Sequence, residues 1–199
     1  MQFRRAENRD LNALVELQNR NSVLLDATMD KSDGFLSSSF TAEDFAAINK
    51  DAAVVVCVDE SNTAGDQANE GQKLLGFVCA STATFNKRAG LPTAMIARFE
   101  QVEFGGKTMS QWPCIITGPV CVDKAGRGTG IFARLYELLW QVLSELYPGQ
   151  YKVAVALVST SNPRSLAAHK KIGMSEVDEF VFNDKTYNTI AMSIEPKSN

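Results

Sequence analysis

The chain has 199 residues, of which 45% are apolar, so one domain with a sizeable core fits this length. A formal net charge of −3 argues against a nucleic-acid partner, which requires a basic surface, and permits a cationic partner such as an amine. Since no apolar run approaches the roughly 20 residues that cross a bilayer and no signal-peptide pattern opens the chain, we expect one cytoplasmic domain over residues 1–199 without a membrane partner.

The start of the chain predicts a short strand and two helices. Residues 2–6 form the strand, and Asp10 follows as the predicted N-cap of a helix whose apolar face includes Leu14. Thr41, with Asp44 three residues later, has the pattern of a capping box. This pattern predicts a second helix that ends near residue 49.

Two apolar runs after these helices predict an antiparallel pair of strands. Residues 52–58 are rich in valine, residues 74–84 form the returning strand, and the polar residues 61–72 predict a loop between them. The next connection is longer than usual, which is common where a binding site is shaped. Within it residues 92–99 are predicted to start a helix that Gly105-Gly106 end.

The clearest pattern begins at residue 114. An apolar strand over 114–122 leads into a glycine-rich turn over 126–130, and an amphipathic helix follows until Pro148. The apolar positions of that helix recur at helical spacing: Ile131, Leu135, Leu138, Leu139, Val142 and Leu146. Residues 153–158 are all apolar and predict a buried central strand.

A helix and a hairpin complete the predicted elements. Asn162 is expected to cap the helix, and Gly173 is expected to close it. Strands over 177–182 and 187–194 flank Asn183-Asp184, a pair that favours a tight turn.

The four cysteines, Cys57, Cys79, Cys114 and Cys121, are interpreted as buried reduced thiols. None forms a C-x-x-C pair, and the chain has one histidine, so we expect no metal site. Cys121 lies in an apolar strand and no second histidine is present to activate it, which favours packing over a nucleophilic role.

The turn from Arg127 to Gly130 is the strongest chemical feature of the sequence. Glycines let the backbone approach an anion closely, and the N-terminus of the following helix presents free N–H groups to it. Arg127 adds a positive charge at the same place. The pattern therefore predicts a site for a phosphate or pyrophosphate group.

Two familiar phosphate sites do not fit this turn. A P-loop requires a lysine followed by serine or threonine after its glycines, and none is present here. A dinucleotide fingerprint requires a third glycine where Ile131 stands, and it belongs near the start of a domain.

The turn resembles motif A of the GNAT superfamily of N-acetyltransferases, R/Q-x-x-G-x-G/A, which lies between a strand and a helix. Arg127 matches the first position and Gly130 the second, while Phe132 occupies a place where the family usually has a small residue. A different register would place Ala125 at the first position, and we prefer the register that begins at Arg127.

A second stretch is similar to motif B of the same family: Asn162, Ser165, His169 and Gly173-Met174. The resemblance covers residues 114–194 well and the earlier half only by its order of elements. It implies an α/β (α+β) fold of GNAT type, with a mixed, mostly antiparallel twisted sheet of about seven strands flanked by four or more helices.

The resemblance also implies that acetyl-CoA is the co-substrate and that an amine of a small molecule or peptide attacks it directly. It places the cofactor contacts at Val120, Cys121, Val122, Arg127, Gly128, Thr129, Gly130, Ile131, Phe132, Asn162 and Ser165. The backbone N–H of Val122 is the implied contact to the thioester oxyanion.

His169 stands where the family usually places a tyrosine that protonates the departing thiolate. An imidazole can donate a proton near neutral pH, which makes His169 the candidate general acid. The alternative is that its ring only packs on the helix. No general base is identified, because Glu100 and Glu103 are best interpreted as solvated surface.

Two classes of function therefore stay open: an N-acetyltransferase, and a non-catalytic coenzyme A-binding module that regulates a partner. Oligomeric state stays open as well. The final hairpin carries Phe180, Phe182 and Tyr187, which either cover its own sheet or pair with a second subunit in a homodimer.

Overall fold

The structure is a computed structural model that describes residues 1–26, 28, 30–60, 73–87 and 90–195. The predicted loop over residues 61–72 lies outside the described residues. The chain divides into two compact units, the first comprising residues 1–29, 35–80 and 119–143, and the second the remaining residues. The predicted single domain over residues 1–199 stays a prediction.

The described strands, in chain order, are β1 (Gln2–Arg5), β2 (Ala53–Val58), β3 (Leu74–Ser81), β4 (Glu103–Phe104), β5 (Lys107–Thr108), β6 (Cys114–Val122), β7 (Val153–Ser159), β8 (Ser175–Phe182) and β9 (Lys185–Ser193). The described α-helices are α1 (Leu11–Arg20), α2 (Ala42–Asp51), α3 (Ala83–Asn86), α4 (Gly90–Ala97), α5 (Ile131–Leu146) and α6 (Pro163–Lys171).

The first unit contains two strands, β2 and β3, whose residues are buried along their whole length. β1 pairs antiparallel with β2, and β2 pairs antiparallel with β3. Every residue of β2 and β3 is buried, as their continuous apolar sequence predicts. The helices α1 and α2 contact each other, and α2 begins with the predicted capping box between Thr41 and Asp44.

In the second unit the start of β6 pairs parallel with β7, while β9 pairs antiparallel with both β7 and β8. Its apolar core includes Met95, Phe99, Val153, Val155, Phe180 and Tyr187. Phe180 and Tyr187 are each 7% exposed, so these aromatics cover their own sheet. A homodimer through this hairpin stays a prediction.

Seven of the nine described strands belong to a mixed, mostly antiparallel sheet, and six α-helices accompany it in the described part of the chain. The predicted fold class is therefore confirmed. The final hairpin is also confirmed, because Asn183 and Asp184 have φ values of 49° and 59° and join β8 to β9.

One local prediction is right only in part, and another was wrong. Asp10 is the N-cap residue of α1 by position, as predicted, but its carboxylate makes no capping hydrogen bond to that helix; it accepts from the backbone N–H of Glu7 and pairs with Arg4. Gly105-Gly106 does not end a helix. Helix α4 ends earlier, at Ala97, and the two glycines form the turn between β4 and β5 with φ values of 56° and 77°.

Helix α5 packs very closely on β3 at Gly76. A Cβ added to Gly76 would lie 3.0 Å from Leu135 Cδ1, 3.1 Å from Ile131 Cγ2 and 3.0 Å from the carbonyl oxygen of Cys121. The backbone oxygen cannot move aside cheaply, so this position requires a residue without a side chain.

We therefore expect Gly76→Val to lower the free energy of unfolding by about 1–3 kcal/mol, because the added methyl groups overpack the contact with α5. Urea unfolding followed by circular dichroism measures the loss. The matched control is Gly106→Val, where an added Cβ meets nothing within 4 Å and only the positive φ of 77° is strained. Because Gly76 itself has no positive φ, a loss in Gly76→Val below about 0.5 kcal/mol, the size usual for a surface substitution, would contradict the close approach of α5.

Candidate functional site

The predicted glycine-rich turn joins β6 to α5 in the first unit. Asp123 begins it, because its Oδ1 accepts from the backbone N–H of Ala125 at 3.0 Å and caps the short 3-10 turn that follows. Gly126 is buried, and a Cβ there would lie 2.7 Å from Ile131 Cδ1. The hydroxyl of Thr129 donates to the carbonyl of Gly126 at 2.6 Å, which closes the turn on itself.

Gly128 and Gly130 open the turn on one side. Their φ values are 79° and 84°, and a Cβ added to either would meet nothing within 4 Å. Within the described part of the chain, the backbone N–H groups of Gly128, Thr129 and Gly130 have no hydrogen-bond acceptor. These donors lie directly before the N-terminus of the 16-residue helix α5, whose dipole favours negative charge there. The geometry suits a phosphate group.

The side chain of Arg127 lies across the base of this turn. Its Nε donates to the carbonyl of Val122 at 3.2 Å, and its Nη2 donates to Asn21 Oδ1 at 3.0 Å. The sequence predicts a positive charge at the turn, and the structure places one there. Two of its nitrogens, however, hold the turn against the end of β6 and the end of α1.

The end of β6 changes its backbone course before it reaches the turn. The residues of β6 that pair with β7 are Cys114 to Thr117, and both strands continue beyond that point. Gly118 has a φ of 118°, and Pro119, which follows it, has no backbone N–H to donate.

The three predicted contact residues at the end of β6 differ in burial. Val120 and Val122 are half-buried, while Cys121 is 5% exposed. Burial raises the pKa of the Cys121 thiol to about 12, so it is protonated near neutral pH. This supports the interpretation of Cys121 as a packing residue.

The side chains of the two predicted contact residues at the start of α5 pack against other residues of the protein. Ile131 is 2% exposed and lies in the packing around Gly126 and Gly76. The ring of Phe132 is half-buried and stands 5.2 Å from the ring of Tyr136. Any contact of these two residues with a ligand at the turn would therefore come from their backbone.

The predicted motif B residues lie on or next to α6 in the second unit: Asn162 precedes the helix, Ser165 and His169 are within it, and Gly173-Met174 follow it. Asn162 Oδ1 accepts from the backbone N–H of Ser165 at 3.2 Å, which makes Asn162 the N-cap, and Pro163 is the first helical residue. Asn162 is 6% exposed, and Ser165 is half-buried. The capping role of Asn162 predicted from the sequence is confirmed.

His169 is buried on the same helix, with 3% of its surface exposed. Its Nδ1 lies 2.8 Å from the carbonyl oxygen of Ser165, and because a carbonyl only accepts, Nδ1 carries the ring proton. Burial lowers the pKa of His169 to about 4, although the bond to Ser165 favours the charged form. Near pH 7 the ring is neutral and Nε2 carries no proton, which makes His169 a weak proton donor. Its role as general acid stays a prediction.

Two further residues support the turn and escaped the sequence analysis. Asn21 accepts from Arg127, and Arg20 Nη2 lies 3.3 Å from Asp123 Oδ2. Arg20 is the last residue of α1 and Asn21 is the next residue. Their partners lie about a hundred positions later in the sequence, and no motif or periodicity indicates such a pairing. Glu100 and Glu103 are exposed, as expected of solvated surface.

In the described part of the chain, no cluster of three or more histidine, cysteine, aspartate or glutamate residues is arranged to hold a metal ion. No helix among the described residues is long and apolar enough to span a membrane.

No protein-family model and no curated protein matches the sequence. Solved structures with the same fold include members of the GNAT superfamily of N-acetyltransferases, and the resemblance predicted from the two motifs is confirmed at the level of the fold.

Three of these structures illustrate the similarity. Arabidopsis thaliana NAA60 in complex with acetyl-CoA is 18% identical, with a TM-score of 0.61 over 97% of this chain and 98% of that one. The GNAT superfamily phosphinothricin acetyltransferase from Sinorhizobium meliloti in complex with acetyl-CoA is 15% identical, with a TM-score of 0.59 over 96% and 87%. The ribosomal-protein-alanine N-acetyltransferase from Brucella melitensis is 17% identical, with a TM-score of 0.59 over 97% and 99%.

Proposed function

We propose that this protein is an N-acetyltransferase that moves the acetyl group of acetyl-CoA directly onto a primary amine of a small molecule or peptide. The observation that carries the proposal is the turn before α5. Three successive backbone N–H groups, at Gly128, Thr129 and Gly130, have no acceptor among the described residues, and both glycines face open space.

Coenzyme A fits this turn through its pyrophosphate. The N–H groups from Gly128 to Gly130 would donate to its oxygens, and the backbone N–H groups of Ile131 and Phe132, at the start of α5, would add further donors. The absence of side chains at the two glycines leaves room for an anion close to the backbone. Val120, Cys121 and Val122 are the proposed contacts of the pantetheine arm.

Acetyl-CoA supplies an activated acyl thioester, so the protein does not need a nucleophile of its own. The pKa of about 12 for Cys121 agrees with a reaction that uses no protein nucleophile, because a protonated thiol does not attack a thioester at neutral pH. The proposed task of the chain is to orient the thioester with the backbone at the end of β6, where Val122 N–H is the proposed oxyanion contact. Asn162 and Ser165 stay predicted cofactor contacts from the resemblance, and His169 stays the predicted general acid.

An amine is the proposed acceptor because the similar solved structures include enzymes named for the amines that they acetylate. Their names specify phosphinothricin in one case and the alanine of a ribosomal protein in another. The net charge of −3 is compatible with a cationic acceptor. The residues that choose the acceptor are not assigned.

One observation favours the second candidate, a non-catalytic module that binds coenzyme A. The neutral state of His169 leaves the proposed proton donor weak, and Glu100 and Glu103 offer no base in a shielded position. The two candidates share the cofactor site and differ in turnover. Release of free coenzyme A from acetyl-CoA in the presence of an amine separates them.

The cofactor site is tested by Gly130→Trp. We expect wild-type protein to bind coenzyme A in calorimetry and the variant to bind about a hundredfold more weakly, because the indole occupies the open side of the turn and several charge-assisted hydrogen bonds are lost. The matched control is Gly149→Trp, at a glycine with a φ of 70° that also faces open space. Its φ is positive, like that of Gly130, but it follows α5 in the chain and is not part of the turn.

Equal binding of coenzyme A by both variants would contradict the assignment of the pyrophosphate to this turn. If wild-type protein binds coenzyme A, a panel of small amines and short peptides with free N-termini then decides between the two candidates. Turnover with any of them establishes the transferase. Binding without turnover across the panel supports the non-catalytic module.

A further inference from the structure

Two side-chain links join the end of α1 to the candidate turn. Asn21, the residue after α1, is 4% exposed, and its Oδ1 accepts from Arg127 Nη2 at 3.0 Å. One residue earlier, Arg20 lies 3.3 Å from Asp123, the residue that caps the first half of the turn. The linked residues are 106 and 103 positions apart in the sequence. The turn is therefore supported by a distant part of the chain.

Asn21 is itself held on its other sides. Its Nδ2 donates to the backbone carbonyl of Leu17 at 2.9 Å, and the backbone carbonyl of Asn21 accepts from the backbone N–H of Leu36 at 2.8 Å. A buried amide with both its oxygen and its nitrogen bonded has a single orientation. The oxygen that Asn21 offers to Arg127 is consequently fixed in space.

Arg127 transmits this fixed position to the turn. Its guanidinium spans from Asn21 to the carbonyl of Val122, so it connects the end of α1 to the end of β6. Its backbone directly precedes Gly128, the first of the three N–H donors. A displacement of the guanidinium would therefore move the donors out of register with a bound anion.

We propose that Asn21 is a positioning residue for the cofactor turn, and that it couples occupancy of the turn to the segment around Leu36. The inference rests on the proposed function, since coenzyme A is the ligand proposed for the turn. Coupling between two sites is reciprocal. If the hydrogen bond between Asn21 and Arg127 strengthens when the turn is occupied, occupancy therefore also stabilises the segment around Leu36. The pair of Arg20 and Asp123 contributes less, because the Arg20 side chain is 50% exposed.

The first test compares coenzyme A binding to Asn21→Leu and to Asn19→Ala by calorimetry at one salt concentration. We expect Asn21→Leu to weaken binding about tenfold, because Arg127 loses one charge-assisted acceptor and the turn loses its fixed position. Asn19 is exposed on the same helix, and its replacement should leave the affinity unchanged. Asn21→Asp keeps an oxygen for Arg127 but loses the donor to the Leu17 carbonyl, so it should recover only part of the affinity.

A double-mutant cycle separates positioning from general destabilisation. If Asn21 acts through Arg127, adding Asn21→Leu to Arg127→Met should change the affinity for coenzyme A by less than about twofold. Thermal unfolding of each variant shows that the proteins compared are folded. Independent, additive losses in the cycle would overturn the proposal.

Hydrogen exchange provides the readout for coupling. The backbone N–H groups of Val23 and Leu36 bridge the end of α1 to the following segment, at 3.0 Å and 2.8 Å from their acceptors. Coenzyme A should slow their exchange in wild-type protein and not in Asn21→Leu. If the wild-type protein binds coenzyme A but Asn21→Leu binds it equally well, the inference fails and the proposed function stands. If wild-type protein does not bind coenzyme A, both fail.

Discussion

Replacement of Asp10 by alanine is expected to lower the free energy of unfolding by about 3–5 kcal/mol, the usual cost of leaving a buried ion-pair partner alone. Asp10 is 2% exposed, and its two carboxylate oxygens accept from both terminal nitrogens of Arg4 at 2.6 and 2.8 Å. The backbone N–H of Glu7 donates to it at 2.7 Å. Equilibrium unfolding in urea at pH 7 measures the loss.

The matched control for this variant is Asp44→Ala. Asp10 closes a capping box that begins at Glu7, whose backbone N–H donates to its carboxylate. Asp44 holds the same position in the capping box of Thr41, where its Oδ2 accepts from the backbone N–H of Thr41 at 2.8 Å, but it is exposed. Its loss should cost only about 1 kcal/mol, as for an ordinary cap. The difference between the two variants then measures the buried pair with Arg4. Equal losses would show that Asp10 serves only as a capping residue.

The pH dependence of stability is expected to have a large contribution from His169. Its pKa falls to about 4 on burial, while the unfolded chain keeps the ordinary value near 6.5. Between these pH values the unfolded state binds a proton that the folded state refuses, so stability falls as the pH falls through this window. The full contribution is about 3 kcal/mol, which follows from the difference between the two pKa values.

We expect His169→Gln to remove this part of the pH dependence. Wild-type protein should lose about 3 kcal/mol more than the variant between pH 7 and pH 4, and all other titrating groups cancel in the comparison. Because His169 is the one histidine of the chain, its imidazole proton resonance can be followed alone by NMR. A resonance that titrates near pH 6.5 in the folded protein would refute the buried, neutral ring.

The same variant bears on catalysis. If the neutral ring does not donate a proton, His169→Gln should retain most of the turnover with acetyl-CoA at pH 7, provided that it is folded. A drop of more than about a hundredfold, within the range usual for loss of a general acid, would support the predicted role instead.

Much of the fold followed from local sequence signals because those signals and the tertiary packing agree. The capping box of Thr41 and Asp44, the bounds of β6 and the start of α5 are all as predicted. The glycine turn was predictable for the same reason, since it joins a strand to a helix.

The sequence was less informative where a residue's partner is distant or where two short elements share a polar connection. Asp10 looks like a cap until Arg4 is placed beside it, and Gly105-Gly106 looks like a helix end until the two-residue strands β4 and β5 are seen. The link between Asn21 and Arg127 depends on tertiary contact alone. His169 was identified from its position in a motif, but a motif does not report burial, and burial decides its charge.

The reactivity of the cysteines can report which part of the protein opens first. Burial raises the pKa of Cys57 to about 11 and that of Cys114 and Cys121 to about 12, and it raises the pKa of Cys79 as well. Cys114 is half-buried, contrary to the prediction of a buried thiol, but Cys57, Cys79 and Cys121 are buried, so an alkylating reagent reaches those three only when a strand detaches. The order in which Cys79 on β3 and Cys121 on β6 become labelled would then reveal which strand comes away first.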